Sequence, residues 1–70
     1  MQYAIVIEKA GNNYSGYIPD VPGCVATGAT QEECRNELRE ALRFHLEGLK
    51  AEHLEVPAST TVCEILSISC

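Results

Sequence analysis

Apolar positions along the chain first alternate at the spacing of strands and then recur at the spacing of a helix. From Tyr3 to Lys9, YAIVIEK is β-branched or apolar at nearly every position, on both faces of a period-two pattern, which predicts a strand inside a sheet. Ala10-Gly11-Asn12-Asn13 are turn formers, and YSGYI follows with Tyr14 and Tyr17, so the two segments read as a β-hairpin. Pro19 and Pro22 then fix φ, cannot donate to a ladder and push Ile18 and Val21 towards extended backbone, while Gly23 admits conformations closed to other residues. The strand must stop near Ile18 and restart near Cys24, where CVATG makes a short third strand.

Thr30 and Glu33 have the spacing of a capping box and predict a helix start. From Cys34 the apolar positions Leu38, Ala41, Leu42, His45, Leu46 and Leu49 form one stripe at the i, i+3, i+4 interval, so the helix packs one face on the sheet. It runs to about Ala51, with Gly48 a weak point and Glu55-Val56-Pro57-Ala58-Ser59 beyond its end. TVCEILSIS is β-branched and reads as a fourth strand. The expected fold is α+β, in the order β-β-β-α-β. A right-handed crossover places the last strand beside the first, giving a four-stranded mixed sheet of order 3-2-1-4 with the helix on one face.

With 70 residues the chain is expected to be a single domain over 1–70 with a thin core. The net charge of −5 disfavours nucleic acid and anionic membrane as partners and suits a basic protein. Cys24, Cys34, Cys63 and Cys70 lack CxxC pairing and follow no secretory leader, so free thiols and a cytoplasmic protein are expected. No short ligand pair marks a metal site, no cofactor is implied, and the longest apolar run is too short to span a bilayer.

YSGYIPDVPGCVATGATQEEC followed by ELREALRFHLEGL resembles the HicB family of antitoxins, from about Tyr3 to Leu49 with a looser fit to the last strand. The resemblance implies a partial ribonuclease H-like fold. It also implies binding to a HicA-type toxin, a small basic protein that cleaves mRNA, in a type II toxin–antitoxin system. Many members carry a C-terminal DNA-binding domain. This chain stops after the expected fourth strand, so no direct DNA binding is expected.

Within this frame Pro19, Asp20, Pro22, Gly23, Thr30 and His45 read as structural motif residues, with His45 packed in the stripe rather than acting as a base that lacks a nucleophile. Arg35, Arg39 and Arg43 repeat along the helix, a spacing open to phosphate contacts or to ion pairs with Glu32, Glu40 and Glu47. Glu33, Glu37, Glu40 and Phe44 share one flank, off the core stripe, and form a candidate partner-binding patch. Val21, in the PDVPG corner, is a second candidate contact. A non-enzymatic antitoxin that self-associates through exposed strand edges is the leading expectation. The alternatives are a degenerate ribonuclease H-type metal-dependent nuclease, with Glu8 and Glu64 as its only strand carboxylates, and a self-associating module without a toxin.

Overall fold

Two consecutive proline turns shape the centre of the protein, whose computed structural model describes residues 1–69. The Val21 N–H donates to the Ile18 carbonyl at 3.0 Å across Pro19 and Asp20, and the Cys24 N–H donates to the Val21 carbonyl at 3.1 Å across Pro22 and Gly23. Gly23 has φ +85°, so the second turn is of type II, with proline and glycine at the positions that type demands. The Ile18 N–H, donating to the Cys24 carbonyl at 3.2 Å, closes the corner. Val21, the residue shared by both turns, is driven inward.

The sheet has three antiparallel strands in sequential order: β1 (Val6–Ala10), β2 (Asn13–Tyr17) and β3 (Val25–Gly28). Gly11, at φ +63°, starts the two-residue turn between β1 and β2, and the register pairs Ala10 with Asn13 and Val6 with Tyr17. Helix α1 (Gln31–Ala51) follows and crosses one face of the sheet. Its Thr30 hydroxyl accepts from the Glu33 N–H at 3.1 Å, so the expected cap is formed on the hydroxyl side of the box.

The core is small. Ile18, Val21, Cys24, Cys34 and Leu38 are buried, and Tyr3, Ile5, Ile7, Ala26, Ala41 and Leu42 pack around them. Three of the buried residues belong to the 18–24 corner, which therefore supplies core as well as connection. Gly16 and Gly28 let the helix approach closely. A Cβ at Gly16 would stand 2.7 Å from Leu38 Cδ1, and one at Gly28 would stand 2.5 Å from the Cys34 nitrogen.

Two expectations are corrected. The segment TVCEILSIS forms no strand, so the sheet is β1-β2-β3 and not four-stranded in the order 3-2-1-4. A β-branched segment becomes a strand only through pairing, and beyond Thr61 the chain leaves the domain, with Val62, Ile65, Leu66 and Ile68 at 79, 97, 92 and 83% exposure. β1 is therefore an edge strand rather than a central one, and Glu8, Lys9 and Ala10 are exposed. Cys24, Cys34 and Cys63 are free thiols; Cys70 lies outside the described residues. Among the described residues no helix is long and apolar enough to cross a membrane.

Candidate functional site

Helix α1 has two chemically different flanks because its core stripe fixes its rotation. Cys34 and Leu38 are buried against the sheet, and side chains three and four positions apart stack on common faces. On one flank this gathers Glu33, Glu37, Glu40 and Phe44, all exposed, with Phe44 at 80%. The only ion pair among the described residues joins the Arg43 guanidinium to the Glu40 carboxylate at 3.7 Å across one turn, in open solvent. Such a pair is worth well under about 1 kcal/mol, so the flank keeps its acidic character. Of the ion pairs expected along the helix, the one between Glu40 and Arg43 is present, and neither Glu32 with Arg35 nor Glu47 with Arg43 comes within bonding range.

Phe44 also borders a shallow hollow of about 390 Å³ shared with His45, Gly48, Leu49 and Glu52. Gly48 leaves this part of the helix surface open, since nothing lies within 4 Å of where its Cβ would be. His45 is half-buried rather than enclosed in the core. The helix then ends in a Schellman motif. The His53 N–H donates to the Lys50 carbonyl at 3.1 Å and the Leu54 N–H to the Leu49 carbonyl at 2.8 Å, with His53 in the left-handed region at φ +57°.

The opposite flank of the helix contributes Arg35, Arg39 and Leu42 to an open groove of about 610 Å³. Its other wall is the extended chain from Met1 to Ile5, leading into β1, and its floor includes Ile18 and Leu38. This groove escapes sequence reasoning because its walls come from segments far apart in the chain.

Among the described residues Asp20 is the most heavily hydrogen-bonded side chain. Its carboxylate accepts from the Thr60 N–H at 2.8 Å, the Thr61 N–H at 2.9 Å, the Thr61 hydroxyl at 2.7 Å and the Thr60 hydroxyl at 3.1 Å. The bonds from Thr61 lower its pKa most, desolvation opposes them, and the bonds from Thr60 add to the lowering, which leaves it at about 2. Together with the Tyr3 hydroxyl donating to the Pro57 carbonyl at 2.5 Å, this clamp fastens residues 57–61 to the domain. Burial alone pushes the Cys24 thiol above its ordinary pKa, which makes it an inert core group.

The remaining sequence candidates fall into place as follows. Val21 is fully buried and is core, not contact surface, because both proline turns point it inward. Pro19, Asp20, Pro22 and Gly23 build the corner, and Thr30 caps the helix. Glu8 stands exposed in β1 and Glu64 lies in the segment that leaves the domain. Among the described residues no three His, Cys, Asp or Glu side chains stand together as a metal-holding group.

Comparison with known proteins agrees with this architecture. A family model described as a HicB-like antitoxin of bacterial toxin–antitoxin systems matches residues 3–68. A 14.9 kDa protein from the rep-hol intergenic region of Haemophilus phage HP1 is 40% identical over 62 residues, which cover 89% of this chain and 47% of that one. The chain thus spans about half the length of the phage protein. A UPF0150 protein of Synechocystis is 34% identical over 67 residues, 94% of this chain and 85% of its own length. Among solved structures, the N-terminal domain of the Burkholderia pseudomallei antitoxin HicB superposes with a TM-score of 0.80 at 28% identity, covering 89% of this chain and 74% of that one. A chain of the HicA3 and HicB3 toxin–antitoxin complex gives 0.72 at 32% identity, covering 86% and 70%.

Proposed function

Starting from the fact that the chain belongs to the HicB-like antitoxin family of bacterial toxin–antitoxin systems, we propose that it neutralises a small basic HicA-type toxin by covering the surface with which that toxin cleaves mRNA. The observation that carries the reading is Phe44, 80% exposed on a helix flank that carries Glu40, Glu37 and Glu33 in the turns before it. An aromatic anchor at the end of a row of carboxylates suits a basic protein surface: the ring supplies buried area, and the charges steer encounter. A HicA-type partner is also supported by the likeness to a chain of the HicA3 and HicB3 complex. The role is occlusion and requires no chemistry from this chain. The partial ribonuclease H-like lineage belongs to the same proposal, as does a cytosolic setting, where the free thiols Cys24, Cys34 and Cys63 stay reduced.

The second part of the proposal is self-association. The apolar side chains of Val62, Ile65, Leu66 and Ile68 stand in solvent, and the sheet leaves β1 and β3 as unpaired edges. The experiment for the first part is co-expression with a HicA-type toxin carrying an affinity tag. This chain should be recovered in stoichiometric amount and should suppress the toxin's cleavage of RNA. Failure of both removes the antitoxin reading.

A further inference from the structure

The groove on the basic flank of α1 and the segment that leaves the domain are complementary, and the structure holds both uncovered. The protein exposes 5561 Å², against roughly 4300 Å² for a compact monomer of its mass. Its radius of gyration is 13.8 Å, against about 11 Å for a compact domain of this length, and its longest dimension is 49 Å. Residues 61–69, whose side chains are exposed throughout, contribute to this excess. In extended conformation Val62, Leu66 and Ile68 share one face with Glu64, while Thr61, Cys63, Ile65, Ser67 and Ser69 share the other. That is the pattern of a strand with one apolar side and no sheet to lie on.

The groove offers what such a strand lacks. It runs beside residues 1–5, which lead into β1 and its unpaired outer edge, and it is lined by Ile5, Leu38 and Leu42 together with Arg35 and Arg39. The apolar residues match Val62, Leu66 and Ile68, and the two guanidinium groups are of opposite charge to Glu64. The chain's own segment begins at this groove, since Thr61 lines it, but the clamp on Asp20 sends it off the domain rather than along its own β1.

We infer that residues 61–69 of one copy lie along the outer edge of β1 in a second copy, as the fourth strand of that sheet, and that reciprocal exchange gives a two-fold symmetric dimer. This rests on the proposed self-association and names its surfaces. Exchange pairs the open edge of β1, covers the groove and removes the exposed apolar side chains from water in one step. It also places the interface on the flank of α1 opposite Glu33, Glu37, Glu40 and Phe44, so that a dimer leaves both acidic flanks free.

The test uses the full chain at tens of micromolar. Light scattering on eluted protein should give the mass of a dimer. In a sample refolded from equal parts of isotope-labelled and unlabelled protein, filtered NOE spectra should connect the Leu66 and Ile68 methyl groups of one copy to Ile5 and Leu42 of the other. Leu66→Asp alters a side chain 92% exposed in the isolated protomer and should weaken the dimer at least tenfold while the amide spectrum stays dispersed. A monomer, with or without NOEs from the segment to its own β1, overturns self-association and exchange together. A dimer without those intermolecular NOEs, or one that Leu66→Asp leaves intact, overturns exchange alone.

Discussion

Asp20 and Thr61, 41 positions apart in the chain, are joined by two hydrogen bonds: the Thr61 N–H reaches one carboxylate oxygen at 2.9 Å and its hydroxyl reaches the other at 2.7 Å. Thr60 repeats the pattern, so one carboxylate on the proline corner fastens both threonines to the domain.

The anchor should respond to acid. The carboxyl of Asp20 is lowered from 3.8 to about 2, so over that interval the unfolded chain binds more protons than the folded one. Its contribution is therefore fully present above about pH 4 and is lost as the pH falls through about 2. Carboxyl chemical shifts followed from pH 5 to pH 1.5 should show the low midpoint. Asp20→Asn should raise the exchange rates of the Thr60 and Thr61 amides at neutral pH while leaving those of β2 unchanged.

Truncating Phe44 should separate binding from folding. At 80% exposure the ring contributes little to the domain, so Phe44→Ala should leave the urea midpoint within experimental scatter. Against a HicA-type toxin the same change should weaken affinity by about 2 kcal/mol or more, roughly thirtyfold, mainly through faster dissociation. Reversing Glu37 and Glu40 to lysine should instead slow association and flatten its salt dependence. Surface plasmon resonance at two ionic strengths distinguishes the two effects, and unchanged binding by Phe44→Ala would rule out this flank.

Two glycines should respond in opposite directions to alanine. At Gly28 a Cβ would meet the Cys34 nitrogen at 2.5 Å and its Cα at 2.9 Å, backbone atoms that cannot move aside, so Gly28→Ala should cost about 1–3 kcal/mol. Gly48 lies in open space on the helix, and Gly48→Ala should gain about 1 kcal/mol through helix propensity. Urea unfolding of the two variants beside the parent measures both.

His53 occupies the left-handed position after the helix that glycine usually fills. His53→Gly removes the Cβ clash of that conformation, partly offset by the greater freedom of glycine in the unfolded chain, and should raise stability by about 0.5–1 kcal/mol. Thermal unfolding at fixed pH checks it; a lower midpoint would mean that the imidazole itself contributes.

The helix is legible in the sequence from Thr30 to Ala51 because both its cap and its stripe are local patterns. The hairpin and the third strand are legible for the same reason, through Gly11 and the two prolines. The burial of Val21 is not, since residues inside a loop follow no periodicity and only the pairing of two turns shows which way it points. Nor is the clamp of Asp20, whose partners lie 40 and 41 positions away. The segment 61–69 has the composition of a strand but no pairing within the protomer, and composition does not reveal which chain supplies a neighbour. Of the candidate site, the acidic flank with Phe44 follows from helical spacing alone, whereas the groove on the other flank needs residues 1–5 and α1 to be set side by side.

The sequential order of the sheet governs how the protein acquires its structure. Each strand pairs with its predecessor, and the helix packs chiefly on β3, the strand immediately before it. Loop closures are consequently short, the entropic barrier to assembly is low, and the domain should fold quickly for a sheet-containing protein. A ribosome releases these elements in the order in which they assemble. The strands and helix can thus form without residues 61–69, which pair with no strand of their own protomer, so any pairing of that segment with a second chain comes after the domain has folded.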